Sequence, residues 1–246
     1  MARVRNPIML SIFALCAFGV LIALGVWQVQ RLRWKTGLIS RLEQGIAAPP
    51  VPYVPPTGKE AEDREFKHVR SIGRFRPEDS VKVFSPTPEA ARGATTEGFG
   101  YLIFTPMEIE GGRTVFVDRG FAPSSLADKA MANNSDGTAT VTGLIRESDK
   151  PNWFTPAADD KKRVFYASDI PSMTAAIKED KTKMITGEYI EADATPNPGG
   201  WPLGRDPRAL LAAIPNRHLE YALTWFGLAA TLLGVFVVYV ARPATV

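Results

Sequence analysis

Residues 215–229, PNRHLEYALTWFGLA, decide how this chain is read. They set one of its two histidines, His218, directly before an uncharged apolar run at residues 221–240. A run of that length is what an α-helix needs to cross a hydrocarbon layer about 30 Å thick. Asn216 is placed to cap the helix, and Glu220 falls in its first turn, where negative charge suits the helix dipole. The spacing i, i+3, i+7 puts His218, Tyr221 and Trp225 on one helical face. Two readings of that face stand open. One is an interfacial belt holding the helix at headgroup depth; the other is a ligand site at the mouth of a membrane helix.

Toward the other end, residues 7–27 form a second apolar run behind the tail MARVRN. It is longer than a signal-peptide core and closes on no A-x-A-like site, so it reads as a retained transmembrane helix. Cys16 follows the bulky Leu15, which makes a poor lipoprotein site. Two spans place both termini on one side of a membrane. Charge does not choose the side: Arg3, Arg5 and Arg242 on the terminal flanks are balanced by Arg31, Arg33 and Lys35 past the first span. The exit from that span reads GVWQVQRLRWK, residues 25–35. Trp27, Arg31 and Trp34 share one helical face, and Gln28 and Lys35 share another. This is either a Trp belt with Arg and Lys reaching to headgroups, or a cationic and aromatic platform for an anionic group.

Between the spans, residues 28–56 read as a juxtamembrane helix end and a Pro-rich spacer, AAPPVPYVPP at 47–56. Residues 194–215 form a Pro/Gly-rich return segment. The two bracket a soluble domain at 57–193. Residues 101–109 and 113–118 are strand-like runs joined by Gly111-Gly112, a hairpin signal. Residues 80–84, 138–146, 163–167 and 186–190 are further strand candidates. Residues 66–75 lack clean alternation, and one short helix is expected near 171–179. The fold class is therefore a membrane protein, with N- and C-terminal transmembrane helices flanking a β-rich α+β domain.

Composition narrows the chemistry. The net charge of +3 and a pI near 9.0 come from cations scattered among acids, which does not indicate a nucleic-acid surface. One cysteine rules out an intramolecular disulfide, a Cys-pair copper carrier and a covalent haem motif. Gly98-Phe99-Gly100 begins like a dinucleotide loop but fails at Ile103, and no P-loop or nucleophile elbow is present. His68, between Lys67 and Val69, reads as a surface residue. Asp118-Arg119-Gly120 reads as turn chemistry closing a strand, and Ser124 and Ser125 lack a recognisable base. No enzyme constellation emerges, so the chain is not expected to be an enzyme.

The end motifs GVWQVQRLRWK and NRHLEYALTWFGLA, with VFVDRGFAP (115–123) and VTGLIR (141–146) between them, resemble the Surf-one (surfeit locus) family of cytochrome c oxidase assembly factors. The family often carries Asn-Arg-Gly-Trp where this chain has Asp118-Arg119-Gly120-Phe121, and a second Asn where it has Arg217. The resemblance implies a bacterial-type member in the cytoplasmic (inner) membrane, its soluble domain on the periplasmic side. The short tail before the first run leaves no room for a mitochondrial transit peptide, in line with that expectation. It further implies haem a as cofactor, with His218 as ligand to the haem iron. Tyr221 and Trp225 would offer flat apolar faces, and Arg31, Arg217 and Lys35 would meet the propionates. Cytochrome c oxidase subunit I, haem a synthase and membrane lipid are the partners it implies. A second expectation also stands: a scaffold that binds oxidase subunits without a specific haem site.

Overall fold

The structure is a computed structural model that describes residues 7–57, 64–87, 94–133, 137–178, 180–194, 197, 200–212 and 214–241. It divides into two compact units, one of residues up to Ser40 together with those from Ile214, the other Arg41–Ala213.

The first unit is a helix pair. Helix α1 (Pro7–Ala47) and helix α5 (His218–Ala241) are each long and apolar enough to cross a membrane. Ile8, Phe13, Leu15, Leu223 and Val235 are exposed around them, as lipid-facing residues must be. The buried and half-buried positions of α1 include Phe18, Leu21, Gly25, Gln28, Leu32 and Lys35, and those of α5 include His218, Ala222, Trp225, Ala229, Leu232 and Phe236. Steps of alternately three and four residues make each set a single seam. Small residues on that seam let the helices approach closely. A methyl group on Gly25 would lie 2.5 Å from the Phe226 ring. Lys35 against Pro215, Gln28 against His218 and Gly25 against Phe226 show the helices running antiparallel. Two apolar helices on one β-rich domain make this a two-span membrane protein.

The second unit is built on strands β1 (Val51–Pro52), β2 (His68–Phe75), β3 (Val81–Pro86), β4 (Phe99–Ile109), β5 (Thr114–Pro123), β6 (Ala139–Glu147), β7 (Val164–Phe165) and β8 (Glu188–Ala192), with helices α2 (Ala127–Ala132), α3 (Ile170–Ala176) and α4 (Pro207–Ala212). The sheet order is β1-β2-β6-β8-β5-β4-β3-β7, and β2 also pairs with the end of β4. That extra pairing closes β2, β6, β8, β5 and β4 into a small barrel. The β4–β5 hairpin closes through a three-residue loop, Glu110 to Gly112, rather than the two residues expected: Ile109 donates to the Arg113 carbonyl at 2.9 Å, and Gly111 and Gly112 both sit at positive φ, which glycine adopts freely.

Strand β5 is buried along its whole length. Val115 and Val117 pack with Val69, Met107, Ile145 and Ile190 in one core cluster, while Phe116 packs with Phe104, Phe165, Ile170 and Met173 in another. A strand covered on both faces reads as an unbroken apolar run rather than an alternating one. Burying each such large side chain contributes about 1.5–3 kcal/mol.

Several expectations are corrected here. The helix end expected past Trp27 is longer than its polar sequence suggests: α1 runs to Ala47, and its last turns are buried at Leu42 and Gly45, the latter against the Phe66 carbonyl. The stretch at 47–56 is not a free spacer, because β1 pairs in parallel with β2 and the Tyr53 hydroxyl donates to Glu188 at 2.8 Å. Nor is the return segment loose. Leu203 exchanges backbone hydrogen bonds of 2.7 and 2.8 Å with Phe121, and α4 lies within it. The carbonyl of Leu203 closes on Gly120, whose φ of 111° and lack of a side chain make the approach possible. Asp118-Arg119-Gly120 is not a turn but the middle of β5. Asp118 is fully buried and bonds Arg205, whereas Arg119 bonds the Asn133 carbonyl at 2.6 Å. Helix α5 begins at His218, so Asn216 is one residue too early to cap it.

Candidate functional site

The helix pair brings His218 to Gln28. His218 is the first residue of α5, and its Nδ1 lies 2.8 Å from the Gln28 side-chain oxygen on α1. An amide oxygen can only accept, so Nδ1 carries the proton and donates. In the neutral ring that leaves Nε2 with the lone pair, and among the described residues nothing bonds it. A neutral imidazole with its second nitrogen held by a hydrogen bond is the usual state of a histidine metal ligand.

The other expected site residues divide. Trp225 is half-buried on the seam two turns along from His218. Tyr221, 54% exposed, faces outward from the pair instead. Lys35 is half-buried and donates to the Pro215 carbonyl, which ties the approach to α5 against α1. Arg31 is exposed, with its guanidinium stacked 4.0 Å from the centre of the Trp34 ring, and Arg217 is exposed at the head of α5. The structure therefore joins His218, Trp225 and Lys35 on the seam, and leaves Tyr221, Arg31 and Arg217 around it.

In the sequence Gln28 is marked only by sharing a face with Lys35. Its sequence signal was a polar residue at the end of an apolar run, which in a membrane helix needs a partner. Among the described residues no group of three or more His, Cys, Asp or Glu could hold a metal ion by itself.

His68 is the instructive contrast. It is not a free surface residue: its Nδ1 lies 2.7 Å from the Ala48 carbonyl and its Nε2 3.2 Å from Asp193. Both ring nitrogens are engaged in tying the end of α1 and the start of the return segment to β2. Ser125 has a carboxylate neighbour that no local sequence pattern signals, Glu97, which accepts from its hydroxyl and its backbone N–H. These bonds hold the Glu97 carboxyl below its ordinary value. The pair is exposed and ties Glu97 to the 3-10 turn that begins at Ser124.

Comparison with known proteins agrees with this architecture. A sequence model described as the SURF1 family matches residues 15–230. Surfeit locus protein 1 of Rattus norvegicus is 29% identical over 240 residues, covering 93% of this chain and 75% of the relative. The Homo sapiens protein of the same name is 29% identical over 236 residues, covering 90% and 73%. A SURF1-like protein of Rickettsia conorii is 27% identical over 236 residues, covering 92% and 88%. With a match that begins inside the first membrane helix and ends inside the second, the chain belongs to the SURF1 family.

Proposed function

We propose that this protein assists assembly of haem-copper (cytochrome c) oxidase in a bacterial cytoplasmic membrane, holding haem a through His218 and aiding its delivery to the catalytic subunit. The observation that carries this reading is the His218–Gln28 contact, which leaves a lone-pair nitrogen at the membrane end of an apolar helix pair. Haem a would supply an iron centre able to take a nitrogen ligand, a flat ring, an apolar tail and two carboxylates. The residues present suit those parts. His218 offers the axial nitrogen, Trp225 a flat wall, the exposed apolar helix surface a place for the tail, and Arg31 or Arg217 a charge for the propionates. One protein ligand also suits a carrier, since release then breaks one bond to the metal. The test is an absorption spectrum of the full chain purified from haem a-producing cells. A haem a spectrum supports the reading, and haem-free protein contradicts it.

The helix seam gives a sharper prediction. Gly25→Leu would push the Phe226 ring aside one turn from Gln28, whereas Gly19 faces open space. Gly25→Leu should lower the haem-to-protein ratio severalfold and Gly19→Leu should not. Equal ratios in the two variants would count against a site on the seam.

Orientation is part of the same proposal: the β domain lies on the periplasmic side, where both spans emerge. A cysteine at Glu110, exposed in the β4–β5 turn, reports it in a Cys16→Ala background. A membrane-impermeant maleimide should label it in intact spheroplasts. Labelling only after lysis would reverse the orientation.

The scaffold reading has one observation in its favour. Trp153 and Phe154, 85% and 72% exposed, stack at 3.5 Å between ring centres on the β domain. An exposed aromatic pair of this kind is a common anchor for a protein partner.

A further inference from the structure

We infer that Gln28 is the positioning residue of the site: it fixes the tautomer of His218 and so keeps Nε2 unprotonated for an incoming metal. The inference rests on the haem reading for its purpose, but on geometry alone for its content. Neutral imidazole exists as two tautomers, and in water the one protonated at Nε2 is favoured. That form would present an N–H where a ligand needs a lone pair. The Gln28 oxygen, 2.8 Å from Nδ1, selects the other tautomer by accepting the Nδ1 proton's hydrogen bond.

The placement of Gln28 argues that this contact is more than incidental. It is 8% exposed, on the seam between Gly25 and Leu32, whereas its polar neighbours Gln30 and Arg31 are exposed. Burying a carboxamide without a partner costs about 1–3 kcal/mol, so the position tolerates glutamine only because a donor meets it. His218 is that donor. Both helices also pack closely here, with Ala222 buried one turn beyond His218.

A buried polar pair can also serve simply to set the register of two helices. The two roles separate in the ring itself. The chain has two histidines, so a 15N-histidine spectrum of the full chain in detergent, prepared without haem, holds two ring systems, and His68→Ala assigns them. In the wild type the pyridine-type nitrogen of His218 should be Nε2. Gln28→Leu keeps the bulk and removes the acceptor. It should move the ring toward the Nε2–H form and lower haem a occupancy about 10- to 100-fold, the usual cost of losing a ligand's outer partner. Gln28→Glu restores an acceptor and should restore both readouts. An unchanged tautomer in Gln28→Leu, or full haem occupancy in that variant, would overturn the inference. The failure of the haem reading looks different: it is haem retained in His218→Ala, and it leaves the tautomer result of the haem-free protein untouched.

Discussion

Replacing Arg205 by methionine should destabilise the β domain by about 3–5 kcal/mol, a large share of the roughly 5–15 kcal/mol that holds a domain folded. Arg205 bonds the fully buried Asp118 and lies 3.1 Å from Glu191, itself paired to Arg146 at 2.7 Å. Burial pushes the Asp118 carboxyl up, Arg205 draws it back down, and the nearby Glu191 pushes it up further, leaving it above its ordinary value. Burial alone would lower Arg205, but Asp118 and Glu191 together hold it above the ordinary arginine value. Without the guanidinium, Asp118 is left buried beside Glu191 with no cation of its own, while Glu191 keeps only Arg146. The sign of the pH dependence follows. A carboxyl whose folded pKa is raised binds its proton in the folded state, so stability is lost as pH rises from the ordinary carboxylate range through the folded pKa. Thermal melting of Arg205→Met should therefore fall further below wild type at pH 8 than at pH 5. Asp118→Asn combined with Arg205→Met removes both charges and should recover most of the loss. A single variant that melts like wild type would show that Arg205 does not hold the return segment to β5.

That ion pair also marks where sequence reading ran out. The β4–β5 hairpin was legible because Gly111-Gly112 has few uses other than a tight turn. The membrane helices were legible because long uncharged apolar runs are rare in any other setting. Strand β2 was obscured by its small inward residues. Val69, Ser71, Gly73 and Phe75 do alternate inward, but Ser71 and Gly73 do not look like core positions. The return segment looked like a spacer because proline and glycine are scored for what they prevent. Nothing local announces that Leu203 will pair with Phe121 or that Arg205 will reach Asp118. The same limit applies to the site. His218 stood out as a histidine at the edge of an apolar run, and the Trp225 spacing was visible on one helix. Gln28 was not singled out as a site residue, because its role depends on a helix 190 residues away in the chain.

His218→Ala should abolish haem a binding while the protein still inserts, at a stability cost of about 1–3 kcal/mol from the buried Gln28 carboxamide that it leaves unpaired. Alanine is the best helix former, so the start of α5 is not weakened. What is lost is the nitrogen that would bond iron, together with the donor to Gln28. Trp225→Leu removes a half-buried ring from the seam but leaves that nitrogen, and should weaken retention less. His68→Ala serves as the control with a different expected defect. It breaks the ties to Ala48 and Asp193 in the β domain, so it should cost domain stability without changing the haem ligand. The decisive measurement is the absorption spectrum of wild type and His218→Ala, purified side by side from the same haem a-producing cells at matched protein concentration. The account predicts a haem a spectrum in the wild type and none in the variant. Equal haem a content in both would contradict the ligand assignment and leave the membrane-anchored scaffold as the better description of the protein.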